Sequence, residues 1–300
     1  MVLENAVAPA GAARAYLFLV ITTLVWGGNA VAGQLAVGQV SPLLLTSLRW
    51  LFVCVALLAF ARGKVAGDWP RLKPRLASIA AMGVLGYTGF NALFYLAAHY
   101  TRGVNIAILQ GAIPMFVFIF AYLAHGTRIR GAQLAGMATT LVGIVLVAAK
   151  GSFATLAALD FNVGDLIMLF ACALYGGYTA ALRSRPQVSD LAFFTVMATA
   201  AFLTSLPLVA LEWAQGKLMM PTPWGWAVTL WIALFPSLLS QLTYMRGVAM
   251  IGPGRAGIFA NLVPIFGAAM AVAFLGEPFG WYHAAGVALV VGGIVWAQRA

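Results

Sequence analysis

Ten long apolar runs, interrupted by charge only once, constrain what this chain can fold into. Each run has about 17 or more residues, and only the second is interrupted, by Arg49. Because an α-helix rises about 1.5 Å per residue, roughly 20 residues cross a hydrocarbon core about 30 Å thick. The predicted membrane-crossing helices, numbered spans 1 to 10, lie near 16–36, 43–61, 76–98, 103–123, 131–149, 166–182, 191–211, 226–245, 256–276 and 279–298.

The composition excludes a water-soluble domain. Hydrophobic residues make up 63% of the chain and charged residues 8%, whereas a soluble globular domain carries roughly 25% charged residues. The fold class predicted from these runs is therefore an all-α integral membrane protein with ten transmembrane helices.

The second half of the chain repeats the first at an offset of 150 residues. Pro114 falls on Pro264, and the stretch that begins at Gly143 returns at Gly293. Each half, 1–150 and 151–300, holds five predicted spans, so the second half must enter the membrane facing the opposite way. Two inverted five-helix repeats are typical of secondary transporters that build two alternately open faces around one central site.

The basic residues indicate how the chain is oriented. With the N-terminus in the cytoplasm, 13 of the 17 lysines and arginines lie on the inner side, three lie on the outer side and Arg49 lies within span 2. This bias follows the positive-inside rule and predicts that both termini are cytoplasmic. It also accounts for the net charge of +10 without a nucleic-acid partner. The longest inner loop, 62–75, is predicted to lie on the lipid headgroups.

Two prolines occupy equivalent positions in the middle of predicted spans. Proline removes a backbone donor and kinks a helix, which a membrane tolerates where the freed groups face protein or water. Pro114 in span 4 and Pro264 in span 9 are therefore predicted hinges, one in each half. The alternative is ordinary kinked packing.

Uncharged polar and aromatic side chains inside the spans form the predicted substrate site. Polar groups are costly within a membrane unless they are satisfied, so they indicate function. Asn91 and Gln241 are related by the 150-residue offset, and Tyr87, Asn91 and Tyr95 lie four apart on one helical face. The full predicted set is Trp26, Asn29, Tyr87, Asn91, Tyr95, Tyr175, Tyr178, Gln241, Tyr244 and Asn261. The structural alternatives are interhelical hydrogen bonds for the amides and plain packing for the rings.

The acidic residues all fall in loops or near span ends, which leaves no mid-membrane carboxylate as a proton relay. His99 and His283 are the remaining candidates, and both are predicted to be interfacial. A facilitative carrier driven by the solute gradient is therefore favoured. Arg49 either extends its side chain to the outer surface or attracts a carboxylate in the pathway.

Signatures of other membrane protein classes are missing from the sequence. There is no His-Glu-x-x-His motif and no phosphate-binding Gly-x-x-x-x-Gly-Lys loop. A retinal-type receptor would need a lysine in a span, whereas the four lysines of this chain all lie in loops. An intramembrane enzyme is thus a remote alternative, and no catalytic residue, metal or cofactor is predicted. A monomer in the lipid bilayer is expected, because ten spans can enclose a pathway alone.

Several short motifs occur along the five-plus-five arrangement. They are Trp26-Gly27-Gly28-Asn29 in span 1, Arg49 in span 2, the two mid-span prolines, and Leu275-Gly276-Glu277-Pro278 before span 10. In this order they resemble the drug/metabolite transporter superfamily, EamA type. One departure is that the first half reads His125-Gly126-Thr127-Arg128 where many members carry Gly-Glu.

Within that superfamily the chain is similar to the YddG-type bacterial exporters of aromatic amino acids. The resemblance implies efflux of aromatic and other neutral amino acids across the bacterial inner (plasma) membrane. It also implies alternating access through a central cavity lined by spans 1, 3, 4, 6, 8 and 9. The alternative is a multidrug or other small-metabolite exporter of the same superfamily, with or without proton coupling.

Overall fold

The computed structural model is helical throughout the part of the chain that it describes, which confirms the predicted all-α class. It describes residues 9–98, 100–101, 103–159, 161–276 and 278–299, without the side chains of residues 9, 10, 95, 98, 103 and 104. His99 and Glu277, which the sequence analysis singled out, lie outside the described residues.

The helices follow the predicted spans, with shifts at their ends. Spans 1, 2, 5, 7 and 10 are single helices, at Pro9–Leu35, Pro42–Phe60, Gly131–Ala148, Asp190–Ala214 and Trp281–Gln298. Span 6 is the helix Val163–Ala181 followed by a 3-10 turn at Leu182–Ser184. The other four spans are made of consecutive segments. Span 3 consists of Leu76–Gly83, Val84–Gly89 and Phe90–Ala98, and span 4 consists of Gly103–Gln110 and Ile113–His125. Span 8 consists of Pro223–Ile232, Ala233–Leu239 and Ser240–Ile251, and span 9 consists of Pro253–Ile258, Phe259–Asn261 and Leu262–Leu275.

Nine helices among the described residues are long and apolar enough to cross a membrane. The predicted tenth span, 279–298, forms the helix Trp281–Gln298 but is not among the nine. Polar side chains at its two ends, His283 and Gln298, lower its mean hydropathy. The count of ten crossings and the cytoplasmic location of both termini therefore stay predictions.

The segment 62–75 is helical, so its prediction as a loop is wrong. A helix runs from Arg62 to Leu72 and a 3-10 turn follows at Lys73–Arg75. Pro70 lies inside this helix, and because proline is a poor helix former the sequence pattern favours a loop. The segment therefore joins spans 2 and 3 by a helix.

Helix packing pairs the two halves of the chain in a regular way. Span 2 packs on span 7, and span 5 packs on span 10 along its length. Span 1 lies against spans 8 and 9, and span 6, its equivalent in the second half, lies against spans 3 and 4. This arrangement is what an inverted repeat with a pseudo-two-fold axis produces, and it places spans 1, 3, 6 and 8 together at the centre.

Two glycines explain why spans 1 and 6 approach their neighbours closely. A Cβ atom on Gly27 would lie 2.7 Å from Cβ of Phe266 in span 9. On Gly176 it would lie 2.6 Å from Cβ of Phe116 in span 4. Because Phe116 and Phe266 are related by the 150-residue offset, the Gly-Gly motifs of the two halves make the same close contact, as small residues do between membrane helices.

Spans 3 and 8 each contain a π-helical turn at the same place in the repeat. The amide of Phe90 donates to the carbonyl of Leu85, five residues back. The amide of Ser240 donates to the carbonyl of Phe235, also five residues back. Insertions of this kind widen a helix locally and are frequent at functional sites. Here they end two residues before Asn91 and Gln241, respectively.

The two predicted hinge prolines lie where helices restart after a break. Span 4 leaves regular helix at residues 111–112 and restarts at Ile113, so Pro114 lies in a first helical turn. Span 9 passes through a 3-10 turn at Phe259–Asn261, and Pro264 lies in the first turn of the helix that follows. Proline is accepted in a first turn because its missing N–H would have no partner there. Hinge motion at these breaks stays a prediction.

Carboxylates bind the N-termini of spans 2 and 7. Glu212, at the end of span 7, accepts hydrogen bonds from Ser41 Oγ at 2.7 Å, Leu43 N at 3.1 Å and Leu44 N at 3.0 Å. Asp68, on the helix that joins spans 2 and 3, accepts from Ser189 N at 2.8 Å. A carboxylate at a helix N-terminus satisfies free amides and interacts favourably with the helix dipole.

Candidate functional site

Four buried tyrosines from spans 3, 6 and 8 form the tyrosine cluster, which comprises Tyr87, Tyr175, Tyr178 and Tyr244. The ring centres of Tyr87 and Tyr178 are 5.2 Å apart, those of Tyr175 and Tyr178 5.4 Å, and those of Tyr175 and Tyr244 6.0 Å. Tyr87 and Tyr178 meet edge to face, which is a favoured geometry for aromatic pairs. The structure thus brings four of the predicted site residues into direct contact.

Hydrogen bonds link most of the phenol hydroxyls across the helices. The hydroxyls of Tyr87 and Tyr178 are 3.0 Å apart, and the Tyr178 hydroxyl donates to Oε1 of Gln241 at 3.4 Å. The hydroxyl of Tyr244 is 3.0 Å from Oγ1 of Thr179. These bonds join spans 3, 6 and 8, so the cluster offers polar groups as well as ring faces.

Trp26 of span 1 completes the aromatic wall of the site. Its ring centre is 5.8 Å from that of Tyr175, in an edge-to-face arrangement, and 5.1 Å from that of Tyr244. Its indole N–H donates to the carbonyl of Pro236 at 3.3 Å, within the π-helical turn of span 8. The π-helical turn therefore positions Trp26 by presenting a backbone acceptor to it.

Span 2 contributes two residues, Arg49 and Trp50, that were not in the predicted site. Trp50 stacks on Tyr87, with ring centres 4.7 Å apart and ring planes 12° apart. Arg49 Nε donates to Oγ of Ser237 at 2.7 Å. Arg49 is only 5% exposed, so of the two alternatives for this residue, the one in which its side chain extends to the outer surface is wrong. Arg49 stood out in the sequence as a charged residue within a predicted span, but the sequence did not indicate which residues it contacts.

The amides of the predicted site are less closely grouped than the tyrosines. Asn91 Nδ2 donates to the carbonyl of Tyr87 at 2.6 Å, one turn back on its own helix. Asn261 Nδ2 donates to Thr140 Oγ1 of span 5 at 2.6 Å, so its contact is with another part of the bundle. Oδ1 of Asn29 and Oδ1 of Asn261 are buried without a hydrogen-bond partner. The side chain of Tyr95 lies outside the described residues.

The four acidic residues that the structure describes lie near span ends or on the joining helix. Asp165, in the first turn of span 6, accepts from Thr101 Oγ1 at 2.6 Å and from Asn105 Nδ2 at 3.0 Å. Asp190, at the start of span 7, pairs with Arg185 at 2.8 Å and with Arg246 at 2.7 Å. Glu212 and Asp68 make the contacts given above. None of these four carboxylates belongs to the tyrosine cluster.

Comparison with known proteins identifies the family. The EamA-like transporter family matches residues 13–149 and, separately, residues 162–298. The chain belongs to the EamA-like transporter family. It is therefore a multi-pass membrane transporter, and the predicted superfamily is confirmed.

Relatives of this EamA transporter cover nearly its whole length. It is 28% identical over 298 residues to an uncharacterized transporter of Bacillus subtilis, YyaM, with 94% of this chain and 93% of the relative covered. It is 25% identical over 289 residues to a probable terminal-alkyne amino-acid exporter of Streptantibioticus cattleyicolor, with 95% and 94% covered. The chain also has the same fold as a protein of known crystal structure, with a TM-score of 0.79 and 20% sequence identity. The match covers 96% of this chain and 97% of the chain in that structure.

Proposed function

We propose that this EamA transporter exports aromatic and other neutral amino acids through a central site between spans 1, 3, 6 and 8. The observation that carries the proposal is the tyrosine cluster, with its four buried phenol rings and the adjoining indole of Trp26. Aromatic rings bind an aromatic solute through offset stacking and edge contacts. A site walled by such rings therefore favours a solute that carries a ring of its own.

Polar groups beside the rings support an amino acid rather than a purely apolar solute. The hydroxyls of Tyr87 and Tyr178 are close to each other, and that of Tyr178 is close to Gln241. These groups can donate to a carboxylate or accept from an ammonium group. A buried network of this kind binds a solute only where the solute replaces the hydrogen bonds that it breaks. Asn29, Asn91 and Asn261 are proposed as further polar contacts, and Tyr95 as a further ring.

The name of one relative supports the same class of substrate. The Streptantibioticus cattleyicolor relative is named a probable amino-acid exporter. We carry over only the amino-acid class from it, and the preference for aromatic side chains rests on the tyrosine cluster. A multidrug exporter, the alternative, would need ring and apolar contacts without groups for an ammonium or a carboxylate.

Transport is proposed to occur by alternating access between two inverted halves, residues 1–150 and 151–300. The equivalent π-helical turns in spans 3 and 8 and the equivalent breaks before Pro114 and Pro264 support this division. Interrupted helices at equivalent positions of two repeats are a pointer to a transporter binding site. Pro114 and Pro264 would act as hinges, with both termini in the cytoplasm of a bacterial cell and a monomer as the working unit.

Export is proposed to follow the gradient of the solute. The described carboxylates bind helix N-termini, hydroxyl and amide groups or arginines near span ends, and such contacts hold them away from the tyrosine cluster. Because none of the four described carboxylates belongs to the tyrosine cluster, we propose that the carrier cycles without a proton gradient.

The experiment that tests this function is amino-acid export from intact bacteria. Cells with and without the transporter are loaded with a dipeptide of phenylalanine, which they hydrolyse, and the phenylalanine that appears in the medium is measured. We expect expressing cells to release it several-fold faster and to accumulate less inside. Equal release from both cells, together with faster efflux of an aromatic dye, would support the multidrug alternative and overturn the amino-acid proposal.

Two variants and a control sharpen the export experiment. Asn91→Ala and Gln241→Ala are each expected to lower phenylalanine release while leaving the amount of protein in the membrane unchanged. Gln215→Ala removes an amide whose side chain is exposed beyond the end of span 7 and is expected to behave like the wild type. Full activity of both site variants would remove these amides from the proposed site.

A further inference from the structure

Arg49 and Trp50, adjacent in span 2, lie beside each other in the protein interior. Their exposed fractions are 5% and 1%. The guanidinium carbon of Arg49 is 5.6 Å from the ring centre of Trp50, which is within the range of a cation–π contact. The charge of Arg49 and the indole of Trp50 therefore belong to one small region of the structure.

This region borders the site through two neighbouring residues of span 8. Arg49 Nε donates to Ser237 Oγ, and Trp26 donates to the carbonyl of Pro236, the preceding residue. On its other side, the ring of Trp50 stacks on Tyr87 of the tyrosine cluster. Arg49 and Trp50 thus adjoin the aromatic rings proposed to bind the substrate.

The indole nitrogen of Trp50 is a buried donor without a hydrogen-bond partner. Buried polar groups in native proteins are nearly always hydrogen-bonded, and each exception calls for an explanation. An indole N–H can only donate, so the atom that completes it must be an acceptor. The stacked ring of Trp50 holds this donor next to a positive charge, where an anionic acceptor is favoured over a neutral one.

The guanidinium of Arg49 favours the same kind of ligand. An arginine within a membrane is costly, and its donors match the two oxygens of a carboxylate. Its Nε donates to the Ser237 hydroxyl, which itself donates to the carbonyl of Ile232 at 2.8 Å. Hydrogen bonds between an arginine and a carboxylate are charge-assisted, and they are shorter and stronger than neutral ones.

We propose that the guanidinium of Arg49 and the indole N–H of Trp50 form the subsite that binds the carboxylate of the substrate. The inference rests on the proposed function and narrows it, because it makes the carboxylate a required part of the solute. The aromatic part of the solute lies against the tyrosine cluster, and the carboxylate lies towards span 2. Carrier substrates without a carboxylate are bound more weakly.

The test compares ligands that differ only in the carboxylate. Apparent affinities of the purified transporter for phenylacetate and phenylacetamide are measured from the ligand-induced rise in melting temperature. We expect phenylacetate to bind at least about tenfold more tightly, as the loss of a hydrogen bond to a charged group implies. In Trp50→Phe, which keeps the stacked ring but removes the N–H, this ratio is expected to fall several-fold through weaker binding of phenylacetate alone.

Two further variants make the result specific. Arg49→Lys keeps a positive charge but loses the planar fork, and it is expected to lower the ratio as well. Trp213→Phe alters an indole that is 73% exposed and is expected to leave the ratio unchanged. Equal binding of acid and amide by the wild type, or an unchanged ratio in Trp50→Phe, would overturn the subsite. Equal stabilisation by chloride or phosphate would also overturn it, since the site would then be a general anion site.

The same measurements separate this subsite from the amino-acid function. Preference for phenylacetate that depends on Trp50, without phenylalanine transport, would uphold the subsite and overturn the proposed amino-acid export. Phenylalanine transport with no loss of carboxylate preference in Trp50→Phe would uphold the function and overturn the subsite.

Discussion

The hydroxyl oxygens of Tyr87 and Tyr178 lie 3.0 Å apart, joining span 3 of the first half to span 6 of the second. Both side chains are almost fully buried. The Tyr178 hydroxyl also donates to Gln241 of span 8. One tyrosine therefore links three helices of the proposed substrate site.

Tyr178→Phe is predicted to weaken both substrate binding and the fold. The variant keeps the ring and removes two hydrogen bonds, each of which contributes about 1 kcal/mol. We expect a lower melting temperature and a several-fold higher phenylalanine concentration for half-maximal transport. Tyr122→Phe, at an exposed tyrosine, is the matched control. Wild-type transport by Tyr178→Phe would show that the hydroxyl does not bind the solute.

Gly86→Ala is predicted to disturb the site through Tyr178. A Cβ atom on Gly86 would overlap Cγ of Tyr178, so the ring or span 3 must move. Overpacking of this kind costs about 1–3 kcal/mol, and transport is expected to fall with it. Gly177→Ala, whose Cβ would have its nearest neighbour at 3.7 Å, should leave melting temperature and transport close to wild type. Equal tolerance of both variants would contradict this packing.

Much of the fold could be predicted from the sequence because membrane helices are defined by length and hydropathy. The helices lie close to the ten predicted runs. The Gly-Gly motifs of spans 1 and 6 make equivalent contacts with spans 9 and 4. The π-helical turns of spans 3 and 8, at Val84–Gly89 and Ala233–Leu239, could not be predicted. A five-residue hydrogen-bond step changes neither composition nor periodicity enough to be recognised.

The candidate site was predictable only in part, for a similar reason. Tyr87, Tyr175, Tyr178 and Tyr244 were recognisable as aromatic residues away from span ends, where interfacial belts are usual. Trp50 was not, because its stacking on Tyr87 depends on how spans 2 and 3 are rotated against each other. Helix rotation follows from packing among several neighbours, and a single sequence carries no direct record of it.

Gly293→Ala is predicted to destabilise the pair formed by spans 5 and 10. A Cβ atom on Gly293 would lie 2.6 Å from the carbonyl oxygen of Gly136, and a backbone atom cannot move away without separating the helices. We expect a loss of about 1–3 kcal/mol, measured as a lower melting temperature in detergent. Gly292→Ala, at the adjacent glycine with no neighbour within 4 Å, should have little effect. An equal fall in both variants would point to helix conformation rather than to close packing.

Glu212→Gln is predicted to loosen the contact between spans 2 and 7. The carboxylate accepts hydrogen bonds from Ser41 Oγ, Leu43 N and Leu44 N. The glutamine side chain would place its own NH2 group opposite at least one of these donors, so that hydrogen bond would be lost. Hydrogen bonds to a charged group contribute about 1.5–3 kcal/mol, so the melting temperature should fall by several degrees. Limited proteolysis near residue 41 should become faster. An unchanged melting temperature would mean that this contact does not stabilise the helix pair.

The most direct test of the account is counterflow in liposomes that contain the purified transporter. The liposomes are preloaded with unlabelled phenylalanine and given a trace of labelled phenylalanine outside, with no ion gradient. We predict a transient accumulation of label that excess tryptophan blocks and that Tyr178→Phe diminishes. With folded, inserted protein, the absence of any accumulation would contradict the claim that this transporter carries aromatic amino acids without ion coupling.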